Sequence, residues 1–191
     1  MSDFMKKMRA GDGLLVVDVQ NDFCPGGALP ITAGDQVVPV LNRWLAAAAA
    51  AAGIPLYASR DFHPASHPSF APQGGPWPIH CLQDSPGAAF HPGLQLPAST
   101  VIVTKGTRFD QDQNSAFDQT GLEQQLRRDG VRRLWVGGLA LDVCVLATVL
   151  DARRAGFAVK LIRAGCRPVT AAGGEEALKK MQAAGAEVVE G

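Results

Sequence analysis

Cys144 sits in the run Leu134 to Asp151, LWVGGLALDVCVLATVLD, which reads as strand, tight loop and helix. The apolar run Leu134-Trp135-Val136 breaks at Gly137-Gly138, and an apolar segment of helical length follows. That places Cys144 in the first turn of a helix, where unpaired N–H groups and a partial positive charge favour thiolate, the nucleophilic form. The competing reading is a buried structural cysteine, the commoner fate of a free thiol. Two further residues weigh on the choice. Asp18 ends the apolar run Leu14 to Val17, and Lys105 ends Thr100 to Thr104. Open parallel sheets bind ligands beyond the carboxyl ends of their strands, so three residues distant in sequence are expected at one crevice. Together they suit acyl transfer. Cys144 attacks a carbonyl carbon, Asp18 takes the thiol proton and passes it to the leaving group, and Lys105 holds Asp18 and balances its charge. Backbone N–H groups near the helix start would stabilise the oxyanion.

A second group of chemistry-bearing residues lies between Ser59 and Ala98, a long loop rich in Pro, Gly and His. It holds all four histidines: His63, His67, His80 and His91. Asp61-Phe62-His63 brings two ligand-type groups together in an extended segment, and carboxylate with neutral imidazole suits Zn, Fe or Mn. The bland alternative is a set of solvated surface histidines. The metal reading is preferred for Asp61, His63 and His80 with His67 beside them, and His91 is assigned a structural role. Phe23 is a lone aromatic in a polar loop, either plugging the core or covering a flat ligand.

These side chains need a scaffold, and the alternation of elements supplies one. Strands are expected at Leu14–Val17, Ile54–Ala58, Thr100–Thr104, Arg132–Val136, Ala158–Ile162 and Ala186–Val189. Helices are expected at Asp35–Ala52, Gly121–Asp129, from the Cys144 turn to Gly156, and Glu175–Ala184. In the last, Leu178 and Met181 face inward and Lys179 and Lys180 outward. Strand and helix in alternation predict an α/β fold with a parallel sheet covered on both faces and right-handed crossovers. The chain has 191 residues, 47% hydrophobic and 19% charged, which suits one domain spanning 1–191, with residues 1–12 as an N-terminal extension. Lys plus Arg and Asp plus Glu each number 18, and no basic stripe or basic amphipathic helix points to nucleic acid or membrane. The N-terminus lacks an apolar signal segment, and Cys24, Cys81, Cys144 and Cys166 contain no CxxC pair, so reduced thiols in a cytoplasmic protein are expected.

Five motifs in order then carry a resemblance. Asp18 to Phe23 is similar to DVQNDF, Asp61 to Phe70 to DWHPxxHxSF, and Trp77 to Cys81 to WPxHC. Lys105-Gly106 is similar to a catalytic KG, and Gly138 to Val145 to GxATDxCV. From about Leu14 to Val189 the chain resembles the nicotinamidases (pyrazinamidases) of the isochorismatase-like cysteine hydrolases. The resemblance implies a deamidase in NAD salvage that converts nicotinamide and water to nicotinate and ammonia, and that also takes pyrazinamide. It implies a triad of Asp18, Lys105 and Cys144, and a thioester on Cys144. It implies a divalent metal, zinc first and Fe or Mn next, on Asp61, His63 and His80, with His67 taking part in some members. Phe23 and Trp77 would flank the substrate ring, and the N–H groups of Ala140 and Cys144 would form the oxyanion hole. A non-proline cis peptide at Leu139-Ala140 and a three-layer sandwich around a six-stranded sheet of order 3-2-1-4-5-6 are implied as well. Leu141 stands where Thr is usual and Val143 where Tyr or His is common, making the loop beside the nucleophile more apolar. Two competing readings stay open: an amidase for another small amide, and a metal-binding protein without turnover. The oligomeric state is open too, a homo-oligomer included.

Overall fold

The computed structural model describes residues 8–51 and 53–190. Ala52 and residues 1–7, most of the expected N-terminal extension, lie outside the described residues. Six strands form one sheet in the order β3-β2-β1-β4-β5-β6. They are β1 (Asp12–Val17), β2 (Leu56–Asp61), β3 (Val101–Lys105), β4 (Arg133–Leu139), β5 (Ala158–Arg167) and β6 (Glu187–Val189). Every neighbouring pair is parallel. Among the described residues four α-helices cover the sheet: α1 (Val37–Ala50), α2 (Leu122–Arg128), α3 (Leu146–Arg154) and α4 (Ala171–Ala183).

The layers follow from strand periodicity. Side chains alternate across a strand, so Leu14 and Val16 of β1 join the core formed with α1 through Leu41, Trp44 and Leu45. Leu15 and Val17 join the opposite core with Leu126 of α2, Val149 of α3 and Met181 of α4. One helix on one face and three on the other is what right-handed crossovers require of a chain that steps from β1 to β3 and then returns past β1 to β4. The reversal falls between β1 and β4, which makes their carboxyl ends the topological switch point of the sheet.

Three departures from the expected boundaries bear on the site. The second strand was expected to stop at Ala58 but runs to Asp61, in register opposite Lys105. The fourth does not break at Gly137-Gly138; Val17 pairs with Gly138, and the strand continues to Leu139. Gly138 has φ +142, and a Cβ there would lie 2.0 Å from the Val17 carbonyl oxygen, so two backbones meet where only glycine fits. Cys144 is not in the first turn of an α-helix. It lies in a π-helical turn, Leu141–Val145, from which α3 continues. The first helix runs from Val37 rather than Asp35, and the last starts at Ala171 rather than Glu175.

Candidate active site

Asp18 is the first residue beyond β1 and takes a left-handed conformation, φ +49. Asp tolerates this region better than most residues, and the turn redirects its carboxylate along the sheet edge. Asp18, Lys105, Asp61 and Cys144 are all buried, the first two completely. Lys105 Nζ lies 2.8 Å from Asp18 Oδ2 and 2.6 Å from Asp61 Oδ1, bridging β1 to β2. The Ser59 hydroxyl donates to Asp18 Oδ1 at 2.6 Å, and Lys105 Nζ approaches Cys144 Sγ at 3.5 Å. The three residues expected at three strand ends therefore converge on one point, with Asp61 as a fourth.

One cation between two buried carboxylates divides their behaviour. Burial raises the Asp18 carboxyl above its ordinary range, and the neighbouring Asp61 charge adds to this against the pull of Lys105. For Asp61 burial also acts upward, but Lys105 and His63 outweigh it and hold it well below that range. Lys105, despite burial, is held charged by Asp18 and Asp61. Paired carboxyls pushed apart in this way take different roles: Asp18 can accept a proton, and Asp61 stays ionised. Burial pushes the Cys144 thiol well up, with Lys105 opposing and Asp18 and Asp61 reinforcing. The expected bias toward thiolate is thus corrected: burial holds Cys144 toward the thiol form, with a carboxylate oxygen of Asp18 within 4.8 Å of Sγ as the candidate proton acceptor.

The ligand atoms of Asp61, His63 and His80 lie within 4.8 Å of one another. Each nearby histidine engages an oxygen through Nδ1: His63 with the Gly106 carbonyl at 2.8 Å, His80 with the Pro78 carbonyl at 2.7 Å, and His67 with the Ser69 hydroxyl at 2.7 Å. The histidine bonds leave Nε2 as the free face, the usual orientation for metal-binding imidazole. His67 Nε2 is buried without a partner, and its ring lies 4.1 Å from that of His63. Burial lowers both His80 and His67, the latter to about 4, which keeps them neutral as ligation requires. His63, lowered by burial, is carried upward on balance by Asp61, 3.7 Å from its Nε2. The donor set fits a divalent cation. Gly106 permits the close contact with His63, since a Cβ there would meet the ring at 2.4 Å.

A pocket opens over these groups, lined by Phe23, Trp77, Asp61, His63, His80, Ala140, Val143 and Cys144. Phe23 is buried, its ring 5.6 Å from that of His80. The peptide Leu139-Ala140 is cis. Val143 lines the pocket, whereas Leu141 is buried in the core with α3 and α4, so of the two apolar residues only Val143 is on the pocket wall. His91 lies away from the site and accepts from the Gly93 N–H at 3.1 Å. Sequence reasoning missed Leu29, Pro30, Ile31, Asp112, Asn114 and Val169, which complete the lining. They come from loops whose path no local pattern reveals. Asp142 had a motif but no assigned part. Its Oδ1 accepts from Val169 N–H at 2.8 Å and its Oδ2 from Thr170 N–H at 3.3 Å, which ties the Cys144 turn to the start of α4.

The chain is similar to known proteins along nearly its whole length. The isochorismatase domain model matches residues 12–191. The nicotinamidase of Escherichia coli is 41% identical over 91% of this chain and 92% of its own. The zinc complex of the pyrazinamidase of Pyrococcus horikoshii superposes with a TM-score of 0.91 at 41% identity, over 95% of this chain and 99% of that one. The nicotinate complex of PnC1 from L. infantum superposes with a TM-score of 0.85 at 34% identity, over 94% and 92%. A six-stranded parallel sheet with a buried cysteine, aspartate and lysine at its switch point, matched along nearly its whole length, makes this chain a member of the isochorismatase domain family.

Proposed function

We propose that the protein is a nicotinamidase, hydrolysing nicotinamide to nicotinate and ammonia and acting also on pyrazinamide. The observation that carries this reading is the Lys105 bridge: one ammonium holds both the base beside the thiol and the carboxylate of the metal-ligand group. Chemistry and ring recognition are thereby fixed relative to each other in one pocket. The nitrogen heterocycles named for the relatives fit a donor group set beside aromatic walls.

Cys144 Sγ attacks the amide carbon as Asp18 takes the thiol proton. The N–H groups of Ala140 and Cys144 receive the developing oxyanion. Asp18 returns the proton to the leaving nitrogen, ammonia departs, and a thioester remains on Cys144. Asp18 then takes a proton from water, the resulting nucleophile attacks the thioester carbon, and the acid is expelled as the proton returns to the thiolate, leaving as nicotinate when its carboxyl proton passes to solvent. Lys105 holds Asp18 in place throughout. Phe23 and Trp77 flank the pyridine ring. Asp61, His63 and His80 would hold the cation, with His67 beside them as the further ligand of some family members, and with zinc preferred over iron or manganese. When bound, that cation supplies a Lewis acid for anchoring the ring nitrogen.

The reading extends to one functional domain with the N-terminal residues as an extension, and to a cytoplasmic place in NAD salvage. No helix among the described residues is long and apolar enough to cross a membrane. A small-molecule partner is proposed; nucleic acid and membrane are not, and a homo-oligomer is left open. Ammonia release from nicotinamide, pyrazinamide, benzamide and an N-carbamoyl amide tests the assignment. Release from the first two with little from benzamide is expected. Release from the carbamoyl compound alone would overturn it.

A further inference from the structure

Gln20 and Asp22 lie two and four residues beyond Asp18, and neither takes part in the bond-making steps. Gln20 is completely buried. Its side-chain amide is spent on the main chain of two other segments. Oε1 accepts from the Asp61 N–H at 2.8 Å, and Nε2 donates to the Asp61 carbonyl at 2.7 Å and to the Ala88 carbonyl at 2.9 Å. One side chain thus holds both peptide groups of Asp61. Asp22 acts on the other arm of the donor group. Its Oδ2 accepts from the N–H of Cys81, the residue after His80, at 2.7 Å, and its Oδ1 accepts from the Ala28 N–H at 3.0 Å. Gly87 closes over that carboxylate so tightly that a Cβ would lie 2.1 Å from Oδ2. Cys81 itself is in the left-handed region, φ +45, and it is the residue that this hydrogen bond secures.

Asp61 ends β2, whereas His80 belongs to a loop 19 positions later in the chain. Metal sites and catalytic constellations work only when their side chains stay within about half an ångström of the productive geometry. The residues that fix both arms come from the segment that also carries Asp18. We propose that Gln20 and Asp22 are positioning residues that hold Asp61 and His80 in register with each other and with Asp18, so that one short segment sets the cation group against the base. The proposal rests on the metal reading given above. Partners that orient ligands typically contribute about 10–100-fold to metal affinity, and that is the loss expected when either clamp is removed.

The test is a titration of the full chain, stripped of metal by a chelator, with cobalt(II) alone and followed through its visible absorption bands. Wild type is set beside Gln20→Met, which keeps volume without hydrogen bonds, and Asp22→Ala. Circular dichroism and melting temperature establish that each variant is folded. The expected result is a folded protein whose cobalt affinity falls about 10–100-fold and whose absorption bands shift, because the ligand geometry has changed. A Gln20→Met chain with wild-type affinity and bands would overturn the proposal. Should Gln20→Met fail to fold, Asp22→Ala decides: Asp22 is only partly buried, weakened binding supports the proposal, and wild-type binding overturns it. Wild-type protein that takes up no cobalt would bring down the metal reading itself, a failure distinct from equal binding by wild type and variants.

Discussion

Cys144, the proposed nucleophile, and Lys105 are set apart by what their loss should do. Cys144 makes its chemical contribution through one sulfur atom, and alanine fills nearly the same space at a buried position. Cys144→Ala should therefore fold with a near wild-type melting temperature and release no ammonia from nicotinamide. Measurable wild-type turnover by that variant would remove Cys144 from the mechanism. Lys105 is different, because its charge is structural as well. Lys105→Met would leave Asp18 and Asp61 facing each other, both buried, without their shared cation. Removing one partner of a buried ion pair costs about 3–5 kcal/mol, so denaturant unfolding should show a loss of that order along with lost activity. His63→Ala should lower bound metal by elemental analysis and raise the KM for nicotinamide, since the ring anchor goes while the nucleophile stays.

At the scale of elements, the site depends on where β1 and β4 end. Val17 and Gly138 are paired, and the next residues lead to Asp18 on one strand and through Leu139-Ala140 to the Cys144 turn on the other. Gly138→Ala would drive a methyl into the Val17 carbonyl from a backbone angle that L residues rarely adopt. Strain of this kind costs roughly 1–3 kcal/mol, and the contact puts this substitution at the upper end. The expected outcome is a stability loss of about 3 kcal/mol in urea with a larger proportional loss of turnover. The strand was expected to stop before this glycine because Gly-Gly is a common turn signal. It continues because a neighbouring strand approaches too closely for a side chain, which is a tertiary fact and not a local one.

Across the whole molecule, alkaline stability carries a signature of the buried thiols. Cys24 is pushed up to about 11 by burial and by Asp35, and burial raises Cys166 to about 12. Neither belongs to the pocket described above. Unfolded thiols titrate near 9.0, so above that pH the unfolded chain sheds protons that the folded chain retains. The stabilisation is complete below pH 9 and is lost as pH rises toward about 11 and 12. Urea unfolding between pH 8 and 10.5 should show falling stability, and a Cys24→Ala, Cys166→Ala chain should show a shallower fall. Equal slopes for the two proteins would contradict it.

Much of this protein was determined by sequence alone. Apolar runs punctuated by Gly and Pro place six strands and four helices, because burial on two sheet faces imposes period and length on the chain. Asp18, Lys105 and Cys144 were legible because a parallel sheet brings its strand ends to one edge, whatever the loops do. The histidine-rich loop was legible by residue type. The tertiary structure decided the rest. It put Asp61 on the same ammonium as Asp18, gave the pocket its wall from Asp112, Asn114 and Val169, and turned Leu141 into the core while leaving Val143 on the pocket wall. It also decided the balance of protonation: Cys144 reads as an activated thiolate from its place before a helix, yet burial beside two carboxylates pushes it toward the thiol. Propensity and periodicity report what each residue does to its own segment. Charge balance and desolvation depend on which segments meet.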